Sequence, residues 1–79
     1  MPKLPRITAA ETIKALEKLG FTKVRQKGSH VIMKKYLNEK ENLQIGCVVP
    51  LHKKTIAVGT LKNILNQADI SVEEFINSL

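Results

Sequence analysis

Hydrophobic residues in the first part of the chain recur at the spacing of a helix that buries one face. The segment 8–11, TAAE, is a capping box, because the Thr8 hydroxyl can accept from the Glu11 N–H while the Glu11 carboxylate reaches back to Thr8. Gly20 stands where a left-handed residue would end the helix. Residues 1–7 contain two prolines and no periodicity, so they are predicted to form a short arm. The predicted buried face comprises Ala9, Ile13, Leu16 and Leu19.

Two runs rich in Val, Ile, Tyr and Phe follow, at residues 21–27 and 30–37. Gly28-Ser29 between them is the signature of a type II′ hairpin. This turn predicts a register that places one set of residues on a polar face and another on an apolar face. Predicted partners on the polar face are Lys27 with His30, Arg25 with Ile32 and Lys23 with Lys34, with Tyr36 also there; on the apolar face they are Val24 with Met33 and Gln26 with Val31.

A third strand is predicted over residues 43–51, where apolar residues alternate with other residue types. Its predicted core face comprises Leu43, Ile45, Cys47, Val49 and Leu51. Pro50 lacks an N–H and marks the end or an edge of the strand.

The remaining residues predict two helices after a connector. Residues 60–68 have helical spacing, and a second capping box at 71–74, SVEE, begins a last short helix. Ile70 and Phe75 stand at the two positions of a hydrophobic staple. The order is α-β-β-β-α-α, which predicts an α+β fold with helices on one face of a three-stranded antiparallel sheet. The apolar face of the second helix comprises Leu61, Ile64, Leu65 and Ala68.

Length and composition favour one small cytoplasmic domain spanning residues 1–79. Seventy-nine residues suffice for one thin core. A single cysteine cannot form an intramolecular disulfide, and Cys47 among apolar neighbours is predicted to be a core residue. Neither a signal peptide nor an apolar run approaching ~18 residues is present, which predicts a soluble protein without a membrane partner.

The net charge of +6 is concentrated in the first half of the chain. Residues 1–36 contain nine Lys or Arg against two Glu, and residues 23–35 contain five cations and no acid. Such a field suits a polyanion, and a solvated basic surface is an equally good explanation from charge alone.

The segment 25–30, RQKGSH, combines the hairpin turn with a histidine. On its own, His30 fits a surface histidine without a role. Its neighbours favour another interpretation, since Arg25, Lys34 and the N–H groups of the turn could hold a phosphate beside the imidazole. An imidazole next to bound phosphate suits RNA cleavage, because the 2′-OH is an internal nucleophile that needs only deprotonation and in-line geometry.

Three segments in order, GFTKVRQKGSHVIM, VVPLH and GTLKNILNQADIS, resemble the HicA-type (YcfA-like) mRNA interferase toxins of toxin-antitoxin pairs. The resemblance covers almost the whole chain. It implies a double-stranded-RNA-binding-domain-like fold and cleavage of mRNA without a metal or other cofactor. It further implies neutralisation by a HicB-type antitoxin that covers the active site. The family's catalytic histidine falls on His30, and its turn Gly and Ser fall on Gly28 and Ser29.

Some positions depart from the family pattern or leave alternatives open. Val31 replaces a second histidine common in the family, and Asp69 stands where Gly is usual. His52, in the VVPLH match, suits either a general acid or a structural hydrogen bond. The free toxin is predicted to be a monomer. The full set of predicted RNA-binding residues is Lys23, Arg25, Lys27, Gly28, Ser29, Lys34, Lys53 and Lys54.

Two rival functions remain at this point. One is a non-catalytic RNA-binding module of the same fold. The other is a helix-turn-helix DNA reader formed by residues 59–79, although Glu73 and Glu74 in its second helix suit a phosphate-lined groove poorly.

Overall fold

The chain folds in the order that its hydrophobic pattern predicts. A computed structural model describes residues 4–38, 40–51 and 54–79. The elements are α1 (Ala9–Lys18), β1 (Thr22–Lys27), β2 (His30–Asn38), β3 (Leu43–Pro50), α2 (Val58–Ala68) and α3 (Val72–Asn77).

Both predicted capping boxes are present and define where α1 and α3 begin. The Glu11 N–H donates to the Thr8 hydroxyl at 3.1 Å, and the Thr8 N–H donates to the Glu11 carboxylate at 3.1 Å. Ser71 and Glu74 make the same reciprocal pair at 3.1 and 3.3 Å. Each pair satisfies N–H groups that the first turn of a helix leaves without a partner.

Residues with positive φ follow the first two helices, as predicted for Gly20. Gly20 follows α1 with φ +99°, and Asp69 follows α2 with φ +55°. Asp is one of the few residues that tolerates this conformation without being glycine. Helix α2 begins at Val58, two residues before the predicted start, and Ala57 at its N-cap provides no side-chain hydrogen bond.

The three strands form an antiparallel sheet in the order β1-β2-β3, and the helices cover one face of it. The core lies between the two layers. Its largest fully buried side chains come from helices and sheet alike, which confirms the predicted double-stranded-RNA-binding-domain-like α+β fold. They are Leu16, Val31, Met33, Val49, Leu61, Leu65 and Phe75, together with the polar Thr12.

The predicted register between β1 and β2 is correct near the turn and wrong further from it. The pairs nearest the turn, from Lys27 with His30 to Arg25 with Ile32, are as predicted. Between Arg25 and Lys23 the register shifts, so that Lys23 lies opposite Met33 and not opposite Lys34. The intervening Val24 has no partner and is 48% exposed, which corrects its assignment to the core.

The number of residues between the hairpin and α1 explains this bulge. Phe21 is held in the core, 3% exposed, because its N–H donates to Leu16 O at 3.0 Å directly after α1. The turn holds Lys27 on the uncovered face. In a regular strand residues six positions apart lie on the same face, so Phe21 and Lys27 can lie on opposite faces only if one residue is inserted.

Strand β3 forms one edge of the sheet, and that edge is partly protected. The Leu51 N–H donates to Ser29 O, which faces the central strand. By alternation, the backbone polar groups of Val48 and Pro50 therefore point away from β2, toward the edge of the sheet. Pro50 has no N–H there, and the Val48 N–H donates to the Gln67 side chain of α2 at 3.3 Å. The predicted edge role of Pro50 is therefore confirmed.

The predicted core face of β3 is only partly buried. Cys47 and Val49 are buried, Ile45 and Leu51 are half-buried, and Leu43 is 50% exposed. Leu43 lies beside the β2–β3 loop, where the register shifts between Tyr36 and Asn38 and Leu43 pairs with Asn38. None of the helices in the described ranges is both long and apolar enough to cross a membrane.

Candidate active site and nucleic-acid interface

The turn at Gly28-Ser29 is braced from both neighbouring strands. Gly28 has φ +59° and Ser29 does not have a positive φ, as a type II′ turn requires. Leu51 donates its N–H to Ser29 O at 2.6 Å, and the Gln26 side-chain amide donates to Gly28 O at 3.2 Å. These bonds fix the position of the turn relative to β1 and β3.

His30 is the first residue of the central strand, directly after this turn. It lies between Lys27 on β1 and Pro50 on β3, and it is exposed. The next residue, Val31, is 1% exposed and faces the core, as predicted. By strand alternation the His30 imidazole therefore lies on the face that no helix covers, which we call the open face.

Arg25, Lys27 and Lys34 join His30 on the open face. Arg25 lies opposite Ile32, Lys27 opposite His30, and Lys34 opposite Gly46. The three strands together contain five cations and no acid. The positive potential that composition alone indicated is therefore concentrated on the sheet.

Gly46 makes room for Lys34, a relation that the sequence analysis missed. The Lys34 Cγ lies 3.3 Å from the place that a Cβ on Gly46 would occupy, and its Cε lies at 4.0 Å. The aliphatic stem of Lys34 thus runs across β3, and the residue is half-buried. A lysine whose stem is packed presents its ammonium group from a more restricted position than a free surface lysine.

The structure separates Lys23, which was predicted to belong to this group, and Lys35, which was not, from these three cations. Lys23 is exposed but lies on the far side of the bulge, opposite Met33. Lys35 packs on the helix-covered side, where its Nζ lies 3.6 Å from the place of a Cβ on Gly20, next to the end of α1. Basic side chains are favourable at that end of a helix, so Lys35 has a structural explanation.

Lys54 lies near the turn through chain connectivity. It is exposed and follows Leu51 by three residues, and three residues reach at most about 11 Å. Because Leu51 is bonded to Ser29, Lys54 stays at the same end of the sheet as His30. The predicted roles of His52 and Lys53 fall outside the described residues.

The open face also carries apolar side chains. Ile32 lies opposite Val48, which is 38% exposed, and Tyr36 lies opposite Gln44 and is 56% exposed. Val48 also belongs to this face, although it was not among the predicted residues. Its alternation with Cys47 and Val49 along β3 is the signal that could have identified it.

Cys47 lies on the opposite face and is buried, as predicted. Desolvation by this burial raises the pKa of its thiol to about 11. The thiol is therefore protonated at neutral pH, which disfavours a role as nucleophile.

The fold and the site define a small basic α+β protein with a histidine presented by a tight hairpin on a cationic sheet face. Residues 9–70 match the family model for the HicA toxin of bacterial toxin-antitoxin systems. The chain belongs to this toxin family, and the matched range includes every candidate residue that the structure describes. Membership implies an antitoxin partner. No match was found among the curated proteins.

Proposed function

We propose that this toxin is an endoribonuclease that cleaves mRNA without a metal, with His30 as its general base. The observation that carries the proposal is the position of His30 on the open face, directly after a braced turn and opposite Lys27. Catalytic groups on rigid elements keep the geometry that proton transfer requires.

The chemistry needs one base and a cationic surface. A nitrogen of His30 accepts the proton of a ribose 2′-OH, and the oxygen attacks the adjacent phosphorus. The bond from phosphorus to the 5′ oxygen breaks, and the departing oxygen takes a proton from solvent or from an acid. The products are a 2′,3′-cyclic phosphate and a 5′-hydroxyl. Arg25, Lys27 and Lys34 stabilise the negative charge that develops on the phosphate.

The antitoxin that the family implies is proposed to be of the HicB type and to mask this face. Acidic or polar groups placed over Lys27 and His30 would exclude the substrate phosphate and associate rapidly at low salt. A complex in which His30 still reacts with a small imidazole reagent would contradict masking.

The DNA-reading alternative is disfavoured by α3. This helix has six residues, and Glu73 and Glu74 lie in its first turn. A recognition helix inserts its first turns into a groove lined by phosphates, where two carboxylates are unfavourable.

The test compares His30→Ala with the parent protein in cleavage of a labelled RNA. Loss of a general base lowers the rate by about 10²–10⁴-fold. His30 is exposed beside a turn, so the free energy of unfolding should change by no more than ~0.5 kcal/mol. Asn63→Ala, on the exposed face of α2, is a matched surface control that should cleave like the parent.

The products and substrate dependence distinguish this mechanism from metal-dependent hydrolysis. Cleavage should survive chelators and fail on RNA that is 2′-deoxy at the cleavage site. A folded His30→Ala protein that cleaves at the parental rate would refute the proposal. RNA binding without cleavage by the parent protein would support the non-catalytic RNA-binding module instead.

A further inference from the structure

Four residues of β2 form one row along the open face. Alternation places His30, Ile32, Lys34 and Tyr36 on the same side of the central strand. At ~3.3 Å per residue, the row extends about 20 Å from the imidazole to the tyrosine ring. The row therefore continues well beyond the candidate catalytic residue.

The apolar members of this row keep solvent-accessible surface, since Ile32 is half-buried and Tyr36 is exposed. Tyr36 is the only tyrosine of the chain and is 56% exposed, at a position where the sheet has no helix above it. Ile32 and the neighbouring Val48 lie between it and the turn. Aromatic and aliphatic side chains on an uncovered sheet are suited to contact with the flat faces of nucleobases.

The charges beside the row favour a polyanionic occupant. Arg25 and Lys27 lie next to it on β1, Lys34 lies within it, and none of the three strands contains an acid. A base-stacking aromatic with cations along the same line is the arrangement that proteins use for single-stranded nucleic acid. An RNA duplex keeps its bases stacked inside and is recognised through phosphates and 2′-hydroxyls, which would leave Tyr36 and Ile32 without a function.

We infer that the substrate is unpaired RNA lying along β2 on the open face, with one base stacked on Tyr36 and the scissile phosphate at His30. The inference rests on the proposed function and specifies its substrate. Tyr36 binds and positions the RNA. Lys34, which lies between His30 and Tyr36 in the row, contacts the RNA backbone between the scissile phosphate and the stacked base.

The experiment measures RNA affinity by fluorescence anisotropy in the His30→Ala background, so that the probe stays intact. The probe is a labelled oligoribonucleotide without self-complementarity, used alone or annealed to its complement. Tyr36→Ala should weaken binding of the unpaired probe about 5- to 150-fold, the effect of removing one base-stacking aromatic. Tyr36→Phe should keep the parental affinity because the ring remains. The annealed probe should bind more weakly and should not respond to either substitution.

Leu37→Ala is the matched control. Leu37 follows Tyr36 in β2 and is similarly exposed, but it lines a depression on the helix-covered side with Phe21 and Ile45. Its substitution should leave RNA affinity unchanged.

Three results would overturn the inference. The first is that Tyr36→Ala binds the unpaired probe with the parental affinity. The second is that the parent binds the annealed duplex more tightly than the unpaired probe. The third is that Tyr36→Ala loses antitoxin binding but not RNA binding. The last result would assign this end of the face to the protein partner. Each leaves the proposed function standing if His30→Ala still abolishes cleavage, whereas cleavage by His30→Ala refutes the proposed function itself.

Discussion

Gly46 allows Lys34 to lie across the third strand, so replacing this glycine tests whether a packed lysine matters for RNA binding. An alanine Cβ would lie 3.2 Å from Met33 O and 3.3 Å from Lys34 Cγ. The Met33 carbonyl belongs to the central strand and cannot move without moving the sheet. The Lys34 stem is flexible, so it is the group that leaves its place.

The expected effect on stability is small. Alanine in a strand interior is favoured over glycine by about 0.5–1 kcal/mol through backbone entropy. The tight contact with Met33 O and the lost packing of the Lys34 stem oppose this gain. We therefore expect the free energy of unfolding of Gly46→Ala to remain within about 1 kcal/mol of the parent.

The expected effect on RNA binding is larger and has a specific signature. Each phosphate contact on a single strand contributes about 0.7 to the slope of log K against log salt. Displacing the Lys34 ammonium group should reduce that slope by up to about this amount, and Lys34→Ala should do the same. Once Lys34 is already removed, Gly46→Ala should have little further effect, so the two substitutions should be non-additive.

The measurement is fluorescence anisotropy of an unpaired RNA at several salt concentrations, with both single variants and the double variant in the His30→Ala background. Gly59→Ala is the control, since nothing lies within 4 Å of a Cβ there and the residue is in the first turn of α2. Additive effects of Gly46→Ala and Lys34→Ala, or a Gly46→Ala protein with the parental salt slope, would refute the argument.

Two further predictions concern Cys47 and Gly28. The unfolded Cys47 thiol loses its proton above about pH 9, whereas the folded thiol keeps it until about pH 11, so this residue's contribution to stability falls between these values. The loss amounts to about 2–3 kcal/mol, and denaturant unfolding at pH 8 and 11 should show it in the parent but not in Cys47→Ala. A Cβ on Gly28 meets nothing within 4 Å, so Gly28→Ala should cost only the strain of φ +59°, about 1–2 kcal/mol, and Gly28→Asn should cost less. Unchanged thermal stability of Gly28→Ala would contradict a strained turn.

Local signals in the sequence were sufficient for most of the secondary structure. The capping boxes at Thr8 and Ser71, the left-handed Gly20 and the turn at Gly28-Ser29 all involve residues within four positions of one another. The hydrogen bonds or backbone angles at such places depend on the residues themselves, so a pattern of residue types predicts them. The placement of His30 on a polar face beside the turn followed from the same local chemistry.

Contacts between distant segments determined the rest. The bulge at Val24 arises because α1 holds Phe21 in the core while the turn holds Lys27 on the open face, and neither constraint is visible in the strand itself. The position of Lys34 depends on Gly46, twelve residues away and on another strand. The exposure of Leu43 accompanies a register shift between Tyr36 and Asn38 on the neighbouring strand. The sequence by itself therefore determined the elements and the histidine that they present, because helix ends and turns are decided over a few residues. Only the tertiary structure decided that Lys23 leaves the group of cations beside His30 and that Lys34 packs across Gly46, because strand register and lysine packing are decided by partners far away in the chain.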